Sequence, residues 1–165
     1  MTAPLAYRRG VGAVLLNDEG LVLVGRRTDV PGGAWQPPQG GIKAKEEPEA
    51  AVIRELKEEI GTDRAVIIAR ASAWLSYDLP PHVAAKRWKG RYRGQTQCWF
   101  ALRFTGRESD IDVASAKHAE FNAWRWVTIE ELPGLAVAFK RPVYERVVAE
   151  FRPLAVPSAA GPSEP

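Results

Sequence analysis

The chain is poor in residues that form cross-links or bind soft metals, since its 165 residues include one cysteine, one methionine and two histidines. Cys98 therefore cannot form a disulfide within the chain, and no second thiol or nearby histidine offers a zinc site or a thiol-activating base. Because Cys98 lies in an apolar, strand-like run, we predict that it is a small core residue. A reduced thiol of this kind fits a cytoplasmic location.

Long apolar runs are also absent, because no stretch approaches the roughly 18 apolar residues that span a bilayer. We therefore expect no membrane partner. The hydrophobic fraction of 45% and six tryptophans indicate one domain with its own core. We predict that this domain covers residues 5–152 and acts as a monomer. Residues 153–165 are mainly Pro, Ala, Ser and Gly, which predicts a disordered tail.

The charge of the chain is unevenly distributed. The formal net charge is +3, yet residues 46–59 contain six acidic and two basic side chains, so the rest of the chain is strongly basic. An acidic pocket in a basic surround suits a metal site that processes a polyanion, because carboxylates hold the ion while Lys and Arg attract phosphates. Patchy surface charge without a function is the alternative.

Local patterns predict an α+β fold with helices in the middle and at the end of the chain. Two apolar runs around a turn at residues 17–20 indicate a hairpin. A helix is predicted over residues 47–60, with an apolar stripe of Val52, Ile53, Leu56 and Ile60 and with Gly61 at its end. Further strands are predicted at residues 65–75, 95–104 and 124–127, a short helix after Thr128, and a last helix over residues 142–151.

Three glutamates in the first predicted helix are placed for metal binding. At 3.6 residues per turn, Glu55, Glu58 and Glu59 lie within an arc of roughly 100°. Like charges this close repel each other by several tenths of a kcal/mol per pair, so a positive partner is expected. Oxygen ligands at this density suit Mg²⁺ or Mn²⁺, ions that usually serve phosphate chemistry.

The segment from Gly40 to Thr62 resembles the Nudix box, G-x5-E-x7-R-E-U-x-E-E-x-G-U, where U is a bulky aliphatic residue. The matching positions are Gly40, Glu46, Arg54, Glu55, Leu56, Glu58, Glu59 and Gly61, and Thr62 departs at the last one. The resemblance implies an α/β/α sandwich with a mixed β-sheet and a metal-dependent hydrolase. It also implies that Glu55 and Glu59 bind the metal, with Glu58 assisting. The carbonyl of Gly40 can point at the ion, and Arg54 and Glu58 are four residues apart, so they can pair and orient the carboxylate.

Beyond the box, the chain is similar to the Nudix branch that contains bacterial RNA pyrophosphohydrolases and asymmetric diadenosine tetraphosphate hydrolases. The similarity covers about residues 5–151, with matches near residues 7–8, 35–41, 74–80, 94–100, 120–127 and 139–144. It implies that Glu120 joins the metal cluster. It further implies substrate contacts from Arg8, Arg27, Tyr77, Phe139 and Lys140, although burial under the last helix is the alternative for Phe139. Pro37 and the loop at residues 29–33 depart from the branch pattern.

The implied reaction converts a 5′-triphosphate or diphosphate RNA end to a 5′-monophosphate and so initiates mRNA decay. Either Glu58 or Glu120 activates the water. A diadenosine tetraphosphate hydrolase giving ATP and AMP is an alternative, as is an inactive nucleotide-binding regulator. Basic and aromatic side chains alternate over residues 86–93, which indicates either a nucleic-acid contact or a solvated loop.

Overall fold

The computed structural model describes residues 5–30, 32–114 and 119–158. Strands and helices in these residues form three layers. The strands are β1 (Ala6–Leu16), β2 (Val22–Arg27), β3 (Trp35–Gln36), β4 (Gln39–Gly41), β5 (Ala65–Arg70), β6 (Leu75–Asp78), β7 (Tyr92–Phe104) and β8 (Phe121–Val127). The helices are α1 (Pro48–Ile60), α2 (Pro81–Ala84), α3 (Leu132–Leu135) and α4 (Arg141–Phe151).

The centre of the mixed sheet is a long parallel pairing of β1 with β7, in register from Tyr7↔Gly94 to Leu16↔Arg103, with a shift of register between Tyr7 and Ala6, which pairs with Tyr92. All other pairings are antiparallel: β2 and β4 pair with β1, β3 and β8 with β2, and β5 and β6 with β7. The predicted hairpin at residues 17–20 is confirmed, because Leu16 and Val22 are paired across it. Its turn is held by the side chain of Asn17, which accepts hydrogen bonds from two backbone N–H groups.

Helices cover both faces of the sheet because β1 alternates its apolar side chains. Val11, Ala13 and Leu15 pack with Leu56 and Ile60 of α1 on one face. On the other face, residues of β1, β2 and β7 pack against the apolar side of α4, which comprises Val143, Tyr144, Val147, Val148 and Phe151. Cys98 is buried on the α1 side, as predicted. The α+β prediction and the α/β/α arrangement are therefore confirmed.

Helix α1 begins and ends close to the predicted positions. Pro48 lies in its first turn, where its missing N–H costs nothing, and Gly61 ends the helix with a positive φ of 78° while donating to the carbonyl of Lys57. The buried side includes Val52, Leu56 and Ile60, whereas Ile53 is only half-buried. The buried side also includes Glu59, so the carboxylates and the apolar stripe overlap.

The single strand predicted over residues 65–75 is wrong, because the structure divides it into β5 and β6. Both pair with β7, but more residues lie between Arg70 and Leu75 than between their partners Phe100 and Gln97. The surplus residues cannot stay in register and leave the ladder. In this break, the backbone N–H of Ser72 donates to the side chain of Glu150 on α4.

The end of the described chain lies against the domain. Arg152–Leu154 form a 3₁₀ turn, Leu154 and Ala155 pack beside the α4 layer, and the N–H of Ser158 donates to the carbonyl of Asp18 at 2.7 Å. The rest of the predicted tail, residues 159–165, lies outside the described residues. Within the described ranges, none of the helices has both the length and the apolar character needed to cross a membrane.

Candidate active site

A cavity of about 770 Å³ lies beside α1 and collects most of the predicted site residues. The predicted residues that line it are Arg8, Arg27, Gly40, Glu55, Glu58, Glu59, Glu120 and Lys140. They come from β1, β2, β4, α1, the residue before β8 and the turn before α4. The fold thus brings together side chains that are more than 130 residues apart in sequence. We call the side formed by the glutamates the acidic wall and the side formed by Arg8, Arg27, Arg87 and Lys140 the basic wall.

Two glycines of β4 let charged side chains lie directly against the backbone. A Cβ at position 40 would collide with the carboxyl group of Glu55, and a Cβ at position 41 would collide with the guanidinium of Arg8. Gly40 therefore allows Glu55 of the acidic wall to pack directly against β4, and Gly41 allows Arg8 of the basic wall to do the same. The requirement here is close approach, since neither glycine has a positive φ.

Arg54 forms hydrogen bonds with two glutamates of the acidic wall and with Glu46. Its Nε and Nη2 donate to both carboxylate oxygens of Glu46 at 2.8 Å, and its Nη1 donates to Glu55 at 2.9 Å and to Glu58 at 3.2 Å. Nη2 also donates to the carbonyl of Gly41. The hydrogen bonds from Arg54 and from the backbone of Lys43 lower the pKa of Glu46 to about 2. The predicted pairing of Arg54 with Glu58 is present, but the two-point contact is with Glu46.

Glu59 is 4% exposed and only half of its carboxylate is satisfied. Oε2 accepts the backbone N–H of Gln39 at 3.1 Å, while Oε1 has no hydrogen-bond donor among the described residues. Burial, followed by the nearby carboxyl groups of Glu120 and Glu55, raises the pKa of Glu59 well above its usual value. A buried carboxylate with an empty oxygen and acidic neighbours is a strong indication that a cation belongs here.

The pKa of Glu55 is raised for similar reasons. Burial is the largest cause; the hydrogen bond and charge of Arg54 oppose it, and the charges of Glu58 and Glu120 add to it. Glu120, the residue before β8, also lines the cavity, and its backbone carbonyl accepts the N–H of Thr28 at 3.0 Å. The acidic wall is therefore a set of carboxylates that repel each other and are only partly compensated by Arg54.

The donor set fits a hard divalent ion. Carboxylate oxygens and a backbone carbonyl are the ligands of Mg²⁺ and Mn²⁺, and the free Oε1 of Glu59 supplies an unused buried acceptor. As they stand, no three His, Cys, Asp or Glu side chains in residues 5–30, 32–114 and 119–158 are arranged to hold a metal. Arg54 contacts one oxygen of Glu55 and one oxygen of Glu58, so it uses only part of the ligand capacity of each carboxylate.

On the basic wall, Lys140 is buried at 3% exposure. Its Nζ donates to the side-chain oxygen of Gln36 at 3.2 Å and lies 5.5 Å from the centre of the Tyr77 ring. Burial first, and then the positive charges of Arg27 and Arg87, lower the pKa of Lys140 to about 7. A lysine in this state gains its charge most easily when an anion binds beside it.

Arg87 and Trp88, from the basic aromatic segment, also line the cavity. The guanidinium groups of Arg8 and Arg87 both lie over the ring of Trp88, at 5.0 Å and 5.7 Å from its centre. Trp88 and Lys89 both have positive φ, of 50° and 58°. Non-glycine residues adopt this conformation at a cost of about 1–2 kcal/mol each. This loop therefore has a defined shape, which the alternation of charge and aromatic residues did not reveal.

A chain of buried glutamines lies under the cavity and was missed by sequence reasoning. Trp99 donates to Gln97, Gln97 donates to Gln39, and Gln39 donates to the hydroxyl of Tyr144 at 2.6 Å. Because the indole N–H can only donate, it fixes the direction of the whole chain. Gln39 is the residue whose backbone N–H holds Glu59. The chain therefore anchors the acidic wall to the core.

Tyr77 and Phe139 are not among the described residues that line the cavity. Tyr77 is 5% exposed, and its hydroxyl accepts a hydrogen bond from Gln95 at 2.9 Å. Phe139 is half-buried against the α4 layer, with its ring centre 5.8 Å from that of Tyr77. Both lie next to Lys140, Phe139 in sequence and Tyr77 through its ring. Their predicted contacts with a nucleotide stay predictions.

Comparison with known families and sequences gives a consistent result. A NUDIX domain matches residues 6–147. An RNA pyrophosphohydrolase of Rhodospirillum rubrum is 54% identical over 158 residues, which cover 96% of this chain and 94% of the relative. An RNA pyrophosphohydrolase of Gluconacetobacter diazotrophicus is 53% identical over 163 residues, which cover 94% of this chain and 98% of the relative.

A solved structure shares the fold at low sequence identity. The E. coli dihydroneopterin triphosphate pyrophosphohydrolase superposes with a TM-score of 0.67 at 23% identity, covering 87% of this chain and 98% of that one. At this identity the likeness concerns the fold alone. It supports the α+β architecture, with helices on both sides of a mixed sheet.

Proposed function

The chain belongs to the NUDIX family, and on this premise we propose that it is a metal-dependent pyrophosphohydrolase that acts on the 5′ end of RNA. It is a hydrolase of phosphoric anhydride bonds. The proposed reaction converts a 5′-triphosphate or diphosphate terminus to a 5′-monophosphate, which would initiate decay of the RNA. The observation that carries the proposal is a single cavity in which the acidic wall and the basic wall are both present.

The metal in this proposal is Mg²⁺ or Mn²⁺. Members of the family generally need divalent ions, and the carboxylates of Glu55, Glu58, Glu59 and Glu120, with the carbonyl of Gly40, are the residues that would hold them here. The bound ion would neutralise charge on the phosphate chain and lower the pKa of a coordinated water. The unpartnered oxygen of Glu59 and the close packing of Glu55 against Gly40 support this assignment.

Hydrogen bonds within the protein hold the glutamates of the site in position. Arg54 keeps Glu46 and Glu55 in place, and the N–H of Gln39 fixes one oxygen of Glu59. Either Glu58 or Glu120 takes the proton from the attacking water, since both line the cavity. Their partners differ: Glu58 is held by Arg54, whereas Glu120 adjoins the buried Glu59.

The substrate is held by the basic wall. Arg8, Arg27 and Lys140 provide positive charge for the phosphates, and the guanidinium groups offer paired N–H donors that match phosphate oxygens. Phe139 and Tyr77, next to Lys140, are proposed to contact the first nucleotides. A base stacked on Phe139 would add about 1–3 kcal/mol of binding free energy.

The test is a direct competition between a 5′-triphosphate RNA and diadenosine tetraphosphate with Mg²⁺ present, followed by identification of the products. We expect the RNA to be converted to its 5′-monophosphate with the higher kcat/KM. A clear preference for the dinucleotide, giving ATP and AMP, would reverse the assignment. Failure to hydrolyse any nucleotide substrate with Mg²⁺ would leave only a nucleotide-binding regulator.

The predicted monomeric state and cytoplasmic location are part of the same proposal. Light scattering on the purified chain checks the first, and fractionation of the source cells checks the second. A monomer would mean that both walls of the cavity come from one chain, as they do in the described residues.

A further inference from the structure

Asp29 lies on the basic wall and is paired with two arginines. Its carboxylate accepts hydrogen bonds from Nε of Arg27 at 2.9 Å and from Nη2 at 2.6 Å. The oxygen that faces Nη2 of Arg27 also accepts from Nη2 of Arg87 at 3.4 Å. Arg27 is bound at two points, which is the geometry with which arginine binds phosphate as well as carboxylate.

The position of Arg87 is fixed by the fold. Its guanidinium lies over one side of the Trp88 ring, and Arg8 lies over the same ring. The backbone that follows has positive φ at Trp88 and Lys89, and such strain persists where the surroundings hold it in place. Arg87 thus lines the cavity from a loop of defined backbone conformation.

Positive charge exceeds negative charge on this side of the cavity. Arg8, Arg27, Arg87 and Lys140 line it, and Asp29 is the one described carboxylate that pairs with cations there. Although partial burial opposes ionisation, the hydrogen bonds and charge of Arg27 lower the pKa of Asp29. The carboxylate of Asp29 is thus shared by Arg27 and Arg87, and the basic wall as a whole would accommodate an anion with more negative charge than Asp29.

We propose that Asp29 is an internal anion that occupies, in the free protein, a phosphate subsite formed by Arg27 and Arg87. A phosphate group of the substrate chain displaces it on binding. This inference rests on the proposed function, because it assumes a substrate with linked phosphates. The subsite would select for charge. A polyphosphate carries more negative charge than the Asp29 carboxylate and would also contact Lys140, whereas a singly charged anion carries no more charge than Asp29.

Little of the backbone has to move for this exchange. The side chain of Asp29 is 55% exposed while that of Arg27 is 10% exposed, so Asp29 lies on the solvent side of the arginine. The flanking backbone is held by hydrogen bonds from Arg27 to Ala34 and from Thr28 to Glu120, both at 3.0 Å. A rotation of the Asp29 side chain into solvent is enough to free both guanidinium groups.

The experiment measures binding of inorganic pyrophosphate to the full chain by calorimetry at constant ionic strength, without added metal. Asp29→Asn keeps the shape and removes the charge, and we expect it to bind pyrophosphate about fivefold to tenfold more tightly. Arg87→Gln should bind more weakly by a similar factor. Asp29→Ser serves as a second variant. Unchanged or weaker binding by both Asp29 variants would overturn the proposal and leave Asp29 only as a residue that orients Arg27.

Asp78 provides the matched control. It accepts two hydrogen bonds from Arg93, at 3.1 Å and 2.7 Å, in a pair that lies outside the cavity lining. Asp78→Asn should therefore leave pyrophosphate binding unchanged. An equal gain from Asp78→Asn would mean that net charge, rather than the subsite, controls binding, and would also overturn the proposal.

A double variant and an activity assay separate this inference from the proposed function. In the Arg87→Gln background, the gain from Asp29→Asn should shrink, because one of the two competing arginines is absent. If the Asp29 variants bind pyrophosphate more tightly but no variant cleaves 5′-triphosphate RNA, the subsite stands and the RNA assignment fails. If the RNA is cleaved but the Asp29 variants bind no more tightly, the RNA assignment stands and the subsite fails.

Discussion

The two walls of the cavity are built in opposite ways. Most of the acidic wall comes from a single helix, α1, with Glu120 as its one distant member. The basic wall takes Arg8 from β1, Arg27 from β2, Arg87 from the loop before β7 and Lys140 from the turn before α4. The acidic wall is thus mostly local in sequence, whereas the basic wall exists only once the sheet has formed.

The walls also differ in how they tolerate their own charge. Arg54 partly neutralises the negative charge of the acidic wall, and one oxygen of Glu59 is left without a hydrogen-bond donor among the described residues. Asp29 compensates the basic wall from the solvent side, and Lys140 is buried with a lowered pKa. Each wall is incomplete without a partner of the opposite charge, so removal of one charge should have different consequences on the two sides.

The largest effect is expected from Glu59→Gln on the acidic wall. It removes a proposed metal ligand, so kcat should fall by at least about 10³-fold. It also removes a buried charge with an unpartnered oxygen, so the free energy of unfolding should rise by ~1–3 kcal/mol. Steady-state kinetics and thermal unfolding measure both, and Glu145→Gln, an exposed glutamate on α4, is the control. Near-normal turnover would remove the metal assignment.

The second largest effect should separate Glu58 from Glu120. Loss of the general base lowers kcat by about 10²–10⁴-fold. We expect one of Glu58→Gln and Glu120→Gln to show this loss, with partial recovery at high pH where hydroxide replaces the base. The pH profile of kcat for both variants checks this. Small and equal losses in both would place the base elsewhere.

On the basic wall, Lys140→Met should raise KM by about tenfold, because one charge that we propose faces the phosphates is lost. In the wild type the Lys140 pKa, lowered to about 7, means that the amine loses its charge as pH rises above 7, so KM should rise with pH. The variant should lack this rise. KM measured from pH 6 to 9 tests it, with Lys86→Met as an exposed control. A wild-type pH dependence in the variant would contradict the role.

The pKa of Lys140 has a consequence for stability too. Between about pH 7 and the usual lysine value of 10.5, the unfolded chain binds this proton and the folded chain does not. The free energy of unfolding therefore gains a contribution as pH rises through this range and loses it as pH falls towards 7. Lys140→Met should flatten the pH dependence of thermal unfolding over the same range.

The smallest effect is expected from Phe139→Ala, which alters neither wall directly. Loss of stacking should raise KM for the RNA by about fivefold to tenfold and affect the dinucleotide less. Because Phe139 also packs near Tyr77, a thermal unfolding measurement is needed beside the kinetics. Equal losses on both substrates would assign Phe139 to packing under α4 instead.

Local sequence patterns predicted the local features well, whereas the assembled features were predicted through the family resemblance and not through those patterns. Helix α1 and its glycine end follow from residues within one or two turns of each other, and so does the hairpin before β2. The break between β5 and β6 depends on the register with β7, which no local pattern contains. The pairing of Asp29 with Arg87 joins residues 58 positions apart, so Arg87 was predicted only as part of a basic segment that contacts nucleic acid or solvent, and Asp29 was not predicted as a site residue.

Burial was the other quantity that local patterns could not supply. Glu59 and Glu58 are adjacent and chemically identical, yet the side chain of Glu58 is 54% exposed while Glu59 is buried. The difference arises because β4 packs across one side of α1 and donates the N–H of Gln39 to Glu59. The helical arc identifies the cluster of carboxylates, and only the neighbouring strand decides which of them is desolvated.

The parallel pairing of β1 with β7 also has a consequence for biosynthesis. Ala6 and Tyr92 are partners, so β1 waits during synthesis for the emergence of a segment more than 80 residues later. Pairings this distant in sequence form slowly and leave strand edges open in the meantime. The glutamate-rich helix thus leaves the exit tunnel long before the basic wall opposite it is in place, and the complete cavity is among the last features that the nascent polypeptide acquires.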